Sequence, residues 1–191
     1  MNNPEQEKSL ELEALRFEVD NIRDAKGKPV DEGIKETVVF LKALGITLEG
    51  SCEGHFEQPA SGYDPQGALR EWSLTQGPFL EVRNGPKFSR TEVERIKADP
   101  AELEKYRKIC EENNQRTRQL LTDFYAQPGA PEKTICQLEP SKSSIESFKI
   151  EARGQRQLKE MPRDEQEEFV QNAQAEMKRF TEFLENKYLG R

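Results

Sequence analysis

The sequence predicts an α+β fold in which a small, mostly antiparallel sheet of about four strands packs with helices. Two long segments carry helical periodicity between clear start and stop signals, at 99–125 and 163–190. Short β-prone runs bounded by turn residues occur at 46–49, 78–83, 134–138 and 145–150. Too few strands alternate with helices for a doubly wound parallel sheet.

The N-terminal segment predicts an amphipathic helix over about residues 5–25. Its apolar stripe steps by three and four positions through Leu12, Leu15, Val19 and Ile22. Gly27 ends it. A chain of 191 residues corresponds to one domain. We therefore divide the chain into a helix at 1–26 and a single α+β domain at 27–191.

A second helix is predicted from Asp31 to about residue 44. Asp31 is placed to cap its N-terminus, and Gly45 is the expected left-handed residue at its end. A short strand at 46–49 follows, and then a turn over residues 50–55, because two glycines stand within five positions.

Residues 56–77 show little periodicity and predict a loop that covers this turn. A strand at 78–83 comes next. In this strand Glu81 alternates with Leu80 and Val82, so its side chain is expected on the other face from theirs.

Asp99, Pro100 and Glu102 combine an N-cap, a first-turn proline and an acidic third position, and they predict the start of a long helix to about residue 125. Its polar centre at 111–118 is expected to project free of the core. A hairpin of 134–138 with 145–150 and a C-terminal helix over 163–188, ended by Gly190, complete the prediction.

Composition and charge exclude several classes of function. The net charge is −7, and residues 1–95 carry 12 Lys or Arg against 18 Asp or Glu, so no broad basic face is available and nucleic acid is an unlikely partner. No apolar run is long enough to span a membrane, and residues 1–9 resemble no signal peptide. We expect a cytoplasmic protein in which Cys52, Cys110 and Cys136 are reduced thiols.

One cluster could carry chemistry. His55 is the only histidine of the chain, and it follows Cys52 by three residues in a glycine-flanked turn. A nearby imidazolium lowers the pKa of a thiol, so Cys52 is a candidate nucleophile with His55 as its base and Glu53 as the group that orients the imidazole or acts as an acid.

The same turn suggests a ligand site. The amides of Gly50 and Gly54 could cradle an anion, with Ser51 between them. Glu81 on the following strand and Trp72 in the loop are further candidate contacts. Each of these residues also has a structural interpretation. Cys52 could simply fill space in the core, and His55 could be a surface histidine or make its hydrogen bonds within the turn. Trp72 could anchor the loop to the rest of the protein, and Glu81 could be exposed to solvent.

A zinc site is a third interpretation of Cys52 and His55. It would need two more ligands, which would have to come from Cys110, Cys136 or a carboxylate such as Glu81. Since the sequence contains one histidine and no second paired spacing, we expect no bound metal, and we expect chelation to leave the melting temperature unchanged. No cofactor is indicated.

The run Gly-Ser-Cys-Glu-Gly-His at 50–55, together with Asp-Glu-Gly-Ile at 31–34 and Gly-Pro-Phe-Leu-Glu-Val at 77–82, resembles a group of uncharacterised bacterial proteins. The likeness covers most of residues 28–153. It implies a site at the turn and no particular reaction. A local likeness to the wybutosine-synthesis methyltransferases, which place a Ser-Cys-x-Gly turn after a helix and strand, concerns shape only.

Two functions follow as hypotheses. The first is a small-molecule enzyme or binding protein whose site is the turn at 51–55. The second is a non-catalytic interaction module in which the turn is structural. Its exposed helices would bind either a second copy of the chain, as a homo-oligomer, or another protein partner.

Overall fold

The computed structural model describes residues 4–23, 27–63, 69–83, 85, 89–127, 137–142 and 147–191. Its helices are α1 (Pro4–Asn21), α2 (Lys35–Ala43), α3 (Arg90–Ala98), α4 (Pro100–Tyr125) and α5 (Arg163–Leu189), with short 3-10 turns at Glu32–Ile34 and Gln155–Glu160. Its strands are β1 (Thr47–Cys52), β2 (His55–Tyr63), β3 (Leu69–Gln76), β4 (Phe79–Arg83), β5 (Leu138–Lys142) and β6 (Ser147–Ala152).

Four strands form one antiparallel sheet in the order β1-β4-β6-β5, and β2 and β3 form a separate antiparallel pair. The predicted α+β class, with its four-stranded sheet, long helix and C-terminal helix, is confirmed. Within the described residues, no helix is both long and apolar enough to cross a membrane.

The main core forms where one face of the sheet meets the helices. Alternate residues of β4 and β6 are buried there, as the period of two in a half-buried strand requires. Leu80 and Ile150 are fully buried, and Phe180 of α5 packs in the same cluster. The threonine hydroxyls of Thr37 on α2 and Thr181 on α5 lie 2.6 Å apart and join these two helices.

The signals predicted at Asp99 and Gly45 are confirmed, whereas the cap predicted at Asp31 is wrong because its side chain makes no capping hydrogen bond. The carboxylate of Asp99 accepts hydrogen bonds from the amides of Ala101 and Glu102 at the start of α4, and Gly45 is left-handed with φ of 76°. Residues 111–118 of α4 are largely exposed as predicted, although Thr117 is buried. α1 ends at Asn21, earlier than predicted.

The prediction of a loop over residues 56–77 is wrong. Most of this segment is the antiparallel pair of β2 and β3, in which Pro59 lies opposite Ser73. A proline is tolerated here because each strand of a two-stranded ribbon has a free edge. The carboxylate of Glu57 accepts two hydrogen bonds from Arg163, which fastens this ribbon to the start of α5.

Two other boundaries differ from the prediction, and one helix was missed. The turn at 50–55 is shorter, because Gly50 to Cys52 belong to β1 and His55 opens β2. The predicted hairpin lies later in the chain, and the segment expected as its connection contributes β5, an edge strand that can hold Pro140. Residues 134–136 are outside the described residues. α3 was not predicted at all.

Candidate functional site

Three chain segments bring a carboxylate, a thiol and an imidazole together at the end of the edge strand β1. Asp31 precedes the first 3-10 turn, Cys52 is the last residue of β1 and His55 is the first residue of β2. One ligand atom of each side chain lies within 4.8 Å of those of the other two. The Nε2 atom of His55 is 3.6 Å from Oδ2 of Asp31.

Two hydrogen bonds in opposite directions fix Asp31 against the turn. The amide of Glu53 donates to Oδ2 of Asp31 at 3.2 Å, and the amide of Gly33 donates to Oε2 of Glu53 at 2.7 Å. Each segment therefore supplies one amide donor and one carboxylate acceptor to the other. This pairing holds the Asp31 carboxylate beside His55, with the Gly33 amide coming from the 3-10 turn at Glu32–Ile34.

Gly54 sets the path of the chain between Cys52 and His55. Its φ is 89°, a left-handed conformation, and a Cβ atom at this position would lie 2.8 Å from the backbone nitrogen of Pro78. Only glycine fits both conditions. Its carbonyl accepts a hydrogen bond from Gln174 of α5 at 3.0 Å, so the turn is also tied to the C-terminal helix.

The surroundings of Cys52 keep its thiol protonated. Burial raises the pKa of this thiol most strongly, and the charges of Asp31 and Glu53 raise it further. The Gly54 amide, which donates to Sγ at 3.4 Å, and the Lys149 ammonium act in the lowering direction but do not reverse the result. A resting thiolate of the kind expected from the sequence is therefore not favoured here.

Glu53 is not the residue that faces the imidazole, although the sequence predicted it to orient His55. Its carboxylate is bound to the Gly33 amide, and Asp31 is the carboxylate that faces His55. Sequence reasoning missed this function of Asp31, which it assigned to helix capping. Asp31 does occupy the N-cap position, but its side chain makes no capping hydrogen bond.

The other predicted ligand contacts are spread around the cluster. Gly50 and Ser51 lie in β1 opposite Glu81 and Leu80 of β4. Glu81 is half-buried on the face opposite the core, and its Oε1 accepts a hydrogen bond from the Ser147 hydroxyl at 3.3 Å.

An anion cradle at the two glycines is poorly supported by this arrangement. The Gly54 amide already donates to the Cys52 sulfur, and a Cβ atom on Gly50 would lie 3.6 Å from the Glu81 carboxylate. Trp72 pairs with Ala60 in the β2–β3 ribbon, and the structure describes it by its backbone alone.

Cys110 lies away from this cluster: it is buried and packs with Ile96 and Tyr106 between α3 and α4. Cys136 is outside the described residues. A cavity of about 850 Å³ lies between α4 and the start of β6. Basic residues outnumber acidic ones in its lining, which contains Lys105, Arg107, Lys108 and Arg118 against Glu104 and Glu111.

Comparisons with known proteins add no family to this description of an α+β protein with a carboxylate–thiol–imidazole cluster. No family model matches the chain, and no significant match was found to a curated protein or to a solved structure.

Proposed function

We propose that this protein is a small-molecule enzyme or binding protein whose site is formed by Asp31, Cys52 and His55. The observation that carries the proposal is that Asp31, from a separate segment, meets Cys52 and His55 of one turn, with the three side chains within 4.8 Å of one another. The expected cytoplasmic location, where thiols stay reduced, is part of the same proposal.

The arrangement supports acid–base chemistry. An imidazole beside a carboxylate is oriented by it and can accept a proton from a neighbouring group. Cys52 is the neighbouring group within the cluster. In this proposal His55 keeps the predicted role of base and removes the thiol proton when Cys52 reacts or binds. Asp31 replaces Glu53 as the carboxylate that orients His55.

The charges around the cluster favour a neutral or cationic ligand over an anion. Asp31 is joined by Glu53, which contacts it through the backbone, and the nearby strand β4 carries Glu81. Lys149 is the cation that affects Cys52. A carboxylate or phosphate entering beside Asp31 and Glu53 would meet like charge, which opposes binding.

Alkylation of Cys52 in chelator-treated protein tests the proposal. We expect iodoacetamide, which is neutral, to label Cys52 faster than anionic iodoacetate, by a larger ratio than for a free cysteine derivative. We expect His55→Ala to slow labelling by roughly tenfold or more, since a positioned base is removed. Peptide mapping separates Cys52 from Cys110, and Glu57→Gln is the matched control on the same strand.

Two results would contradict it. One is an unchanged rate at Cys52 in His55→Ala, which would make the imidazole irrelevant to the thiol. The other is labelling of Cys52 only as fast as the chain unfolds globally, which would make the cluster a structural one.

An interaction module is a second candidate because α1 carries an exposed apolar pair. Leu10 and Phe17, seven residues apart on one helix face, are 62% and 73% exposed, whereas Leu12 and Val19 on the other face are buried. Light scattering of wild type and Phe17→Glu at high concentration tests self-association. A strictly monomeric wild type would count against this candidate.

A further inference from the structure

We propose that Asp31, Cys52 and His55 bind a divalent transition metal, with zinc as the first choice, as three protein ligands that leave one position open. This reverses the expectation of a metal-free protein drawn from the sequence. That expectation looked for two further ligands among Cys110, Cys136 and carboxylates such as Glu81, whereas in the structure the third ligand atom comes from Asp31.

The spacing of the ligand atoms is close to that of a tetrahedral site. Zinc binds at about 2.0–2.1 Å from nitrogen and oxygen and about 2.3 Å from sulfur, so neighbouring ligand atoms in a tetrahedron are about 3.3–3.6 Å apart. Nε2 of His55 and Oδ2 of Asp31 already lie 3.6 Å apart, and the three ligand atoms all lie within 4.8 Å of one another. Small side-chain rotations are enough to close the remaining distances.

The donor types select the class of metal. A thiol sulfur, an imidazole nitrogen and one carboxylate oxygen suit zinc and its neighbours in the first transition series. Magnesium and calcium prefer sites made wholly of oxygen, and they would gain little from Cys52 or His55. The carboxylates of Asp31 and Glu53 also give the site the negative charge that a dication requires.

Hydrogen bonds from neighbouring groups hold the ligands in place, as is usual in metalloprotein sites. The amide of Glu53 holds the Asp31 carboxylate, and the Gly33 amide holds Glu53 in turn. Gln174 of α5 holds the turn between the other two ligands through the Gly54 carbonyl. The site is therefore largely formed before a metal arrives.

Three protein ligands are typical of zinc that acts on a substrate, because the fourth position accepts water or a ligand atom. The use of that position rests on the proposed function; metal binding itself does not. When the metal is bound, Cys52 and His55 are its ligands, so the proton transfer from Cys52 to His55 belongs to the metal-free protein. An open position on a cation also agrees with a neutral polar ligand, whose lone pair would complete the tetrahedron.

The experiment titrates the chelator-treated full chain with Zn²⁺ by calorimetry and with Co²⁺ by absorbance, where thiolate coordination gives a charge-transfer band. We expect one metal per chain and a Co²⁺ band with wild type. His55→Ala and Asp31→Ala should each weaken binding by more than about tenfold, and Cys52→Ser should remove the band. Cys110→Ala is the matched control and should retain it.

The inference is overturned if wild type binds no metal at equimolar concentration. It is also overturned if binding is unaffected by His55→Ala and Asp31→Ala in variants whose circular dichroism matches wild type, or if Cys110→Ala rather than Cys52→Ser abolishes the band. If Cys52→Ser does not fold, metal binding by His55→Ala and Asp31→Ala tests the inference instead. Loss of metal binding while Cys52 alkylation still depends on His55 would remove the metal and leave the proposed function standing.

Discussion

Replacing Gly54 by alanine should destabilise the protein through two separable effects. The first is the left-handed backbone, since a residue with a Cβ atom at φ of 89° loses about 1–2 kcal/mol. The second is steric, because the new Cβ would lie 2.8 Å from the nitrogen and 2.9 Å from Cδ of Pro78. These contacts are with backbone and a rigid ring, so the chain must shift, at a cost of about 1–3 kcal/mol.

Gly45→Ala is the matched control, because it carries the first cost alone. Gly45 has φ of 76°, and a Cβ atom at this position would have as its nearest neighbour among the described residues an Arg116 nitrogen at 3.7 Å, an ordinary contact. Urea unfolding of both variants should place Gly54→Ala below Gly45→Ala by about 1–3 kcal/mol with unchanged m-values. Equal losses in the two variants would refute the steric argument at the turn.

Three further predictions concern other parts of the fold. Burial and a hydrogen bond to Glu176 raise the pKa of Tyr125 above its usual value of 10.0. The contribution of Tyr125 to stability is therefore complete below about pH 10 and declines as the pH rises further. Between pH 9 and 11 the unfolding free energy of Tyr125→Phe should fall less than that of wild type, and parallel curves would contradict this. Ser89→Ala removes the cap of α3 and should cost about 1 kcal/mol in urea unfolding. Gly33→Ala places a Cβ 2.6 Å from the flexible Glu53 carboxylate, and calorimetry should show weaker zinc binding, by about tenfold or more, with little loss of stability.

The helices that were predicted well are those whose ends carry local signals. Asp99 with Pro100 and the glycines at 45 and 190 act within one turn of the chain, so their effects can be read without knowing the fold. α3 escaped prediction although it carries such a signal. Ser89 and Glu92 form a complete capping box in the structure, and their spacing is visible in the sequence.

The β2–β3 ribbon was missed for a physical reason. Pro59 and Gly62 interrupt the alternation that marks a strand, and none of the ribbon's described side chains is buried, so no core face imposes that alternation. Its position depends instead on long-range contacts, such as the ion pair between Glu57 and Arg163, which are 106 residues apart. Sequence patterns over short windows do not contain this information.

The candidate site was half predictable. Cys52 and His55 are close in sequence and share a turn, so their proximity follows from local geometry. Asp31 lies 21 residues before Cys52, and its position preceding a helix suggested a cap. Its actual role depends on the pairing of residues 31–33 with Glu53, a contact that only the folded chain creates.

The most direct test of the site uses the fact that the chain has one histidine, so the imidazole region of a ¹⁵N spectrum reports His55 alone. Addition of one equivalent of Zn²⁺ to chelator-treated protein should convert its ring signals to a single new set, with the larger change at the coordinating nitrogen. The Cys110→Ala control should behave the same way, and Asp31→Ala should respond only at much higher Zn²⁺. Ring signals that stay unchanged at saturating zinc, or that respond equally in Asp31→Ala, would contradict a site built from Asp31, Cys52 and His55.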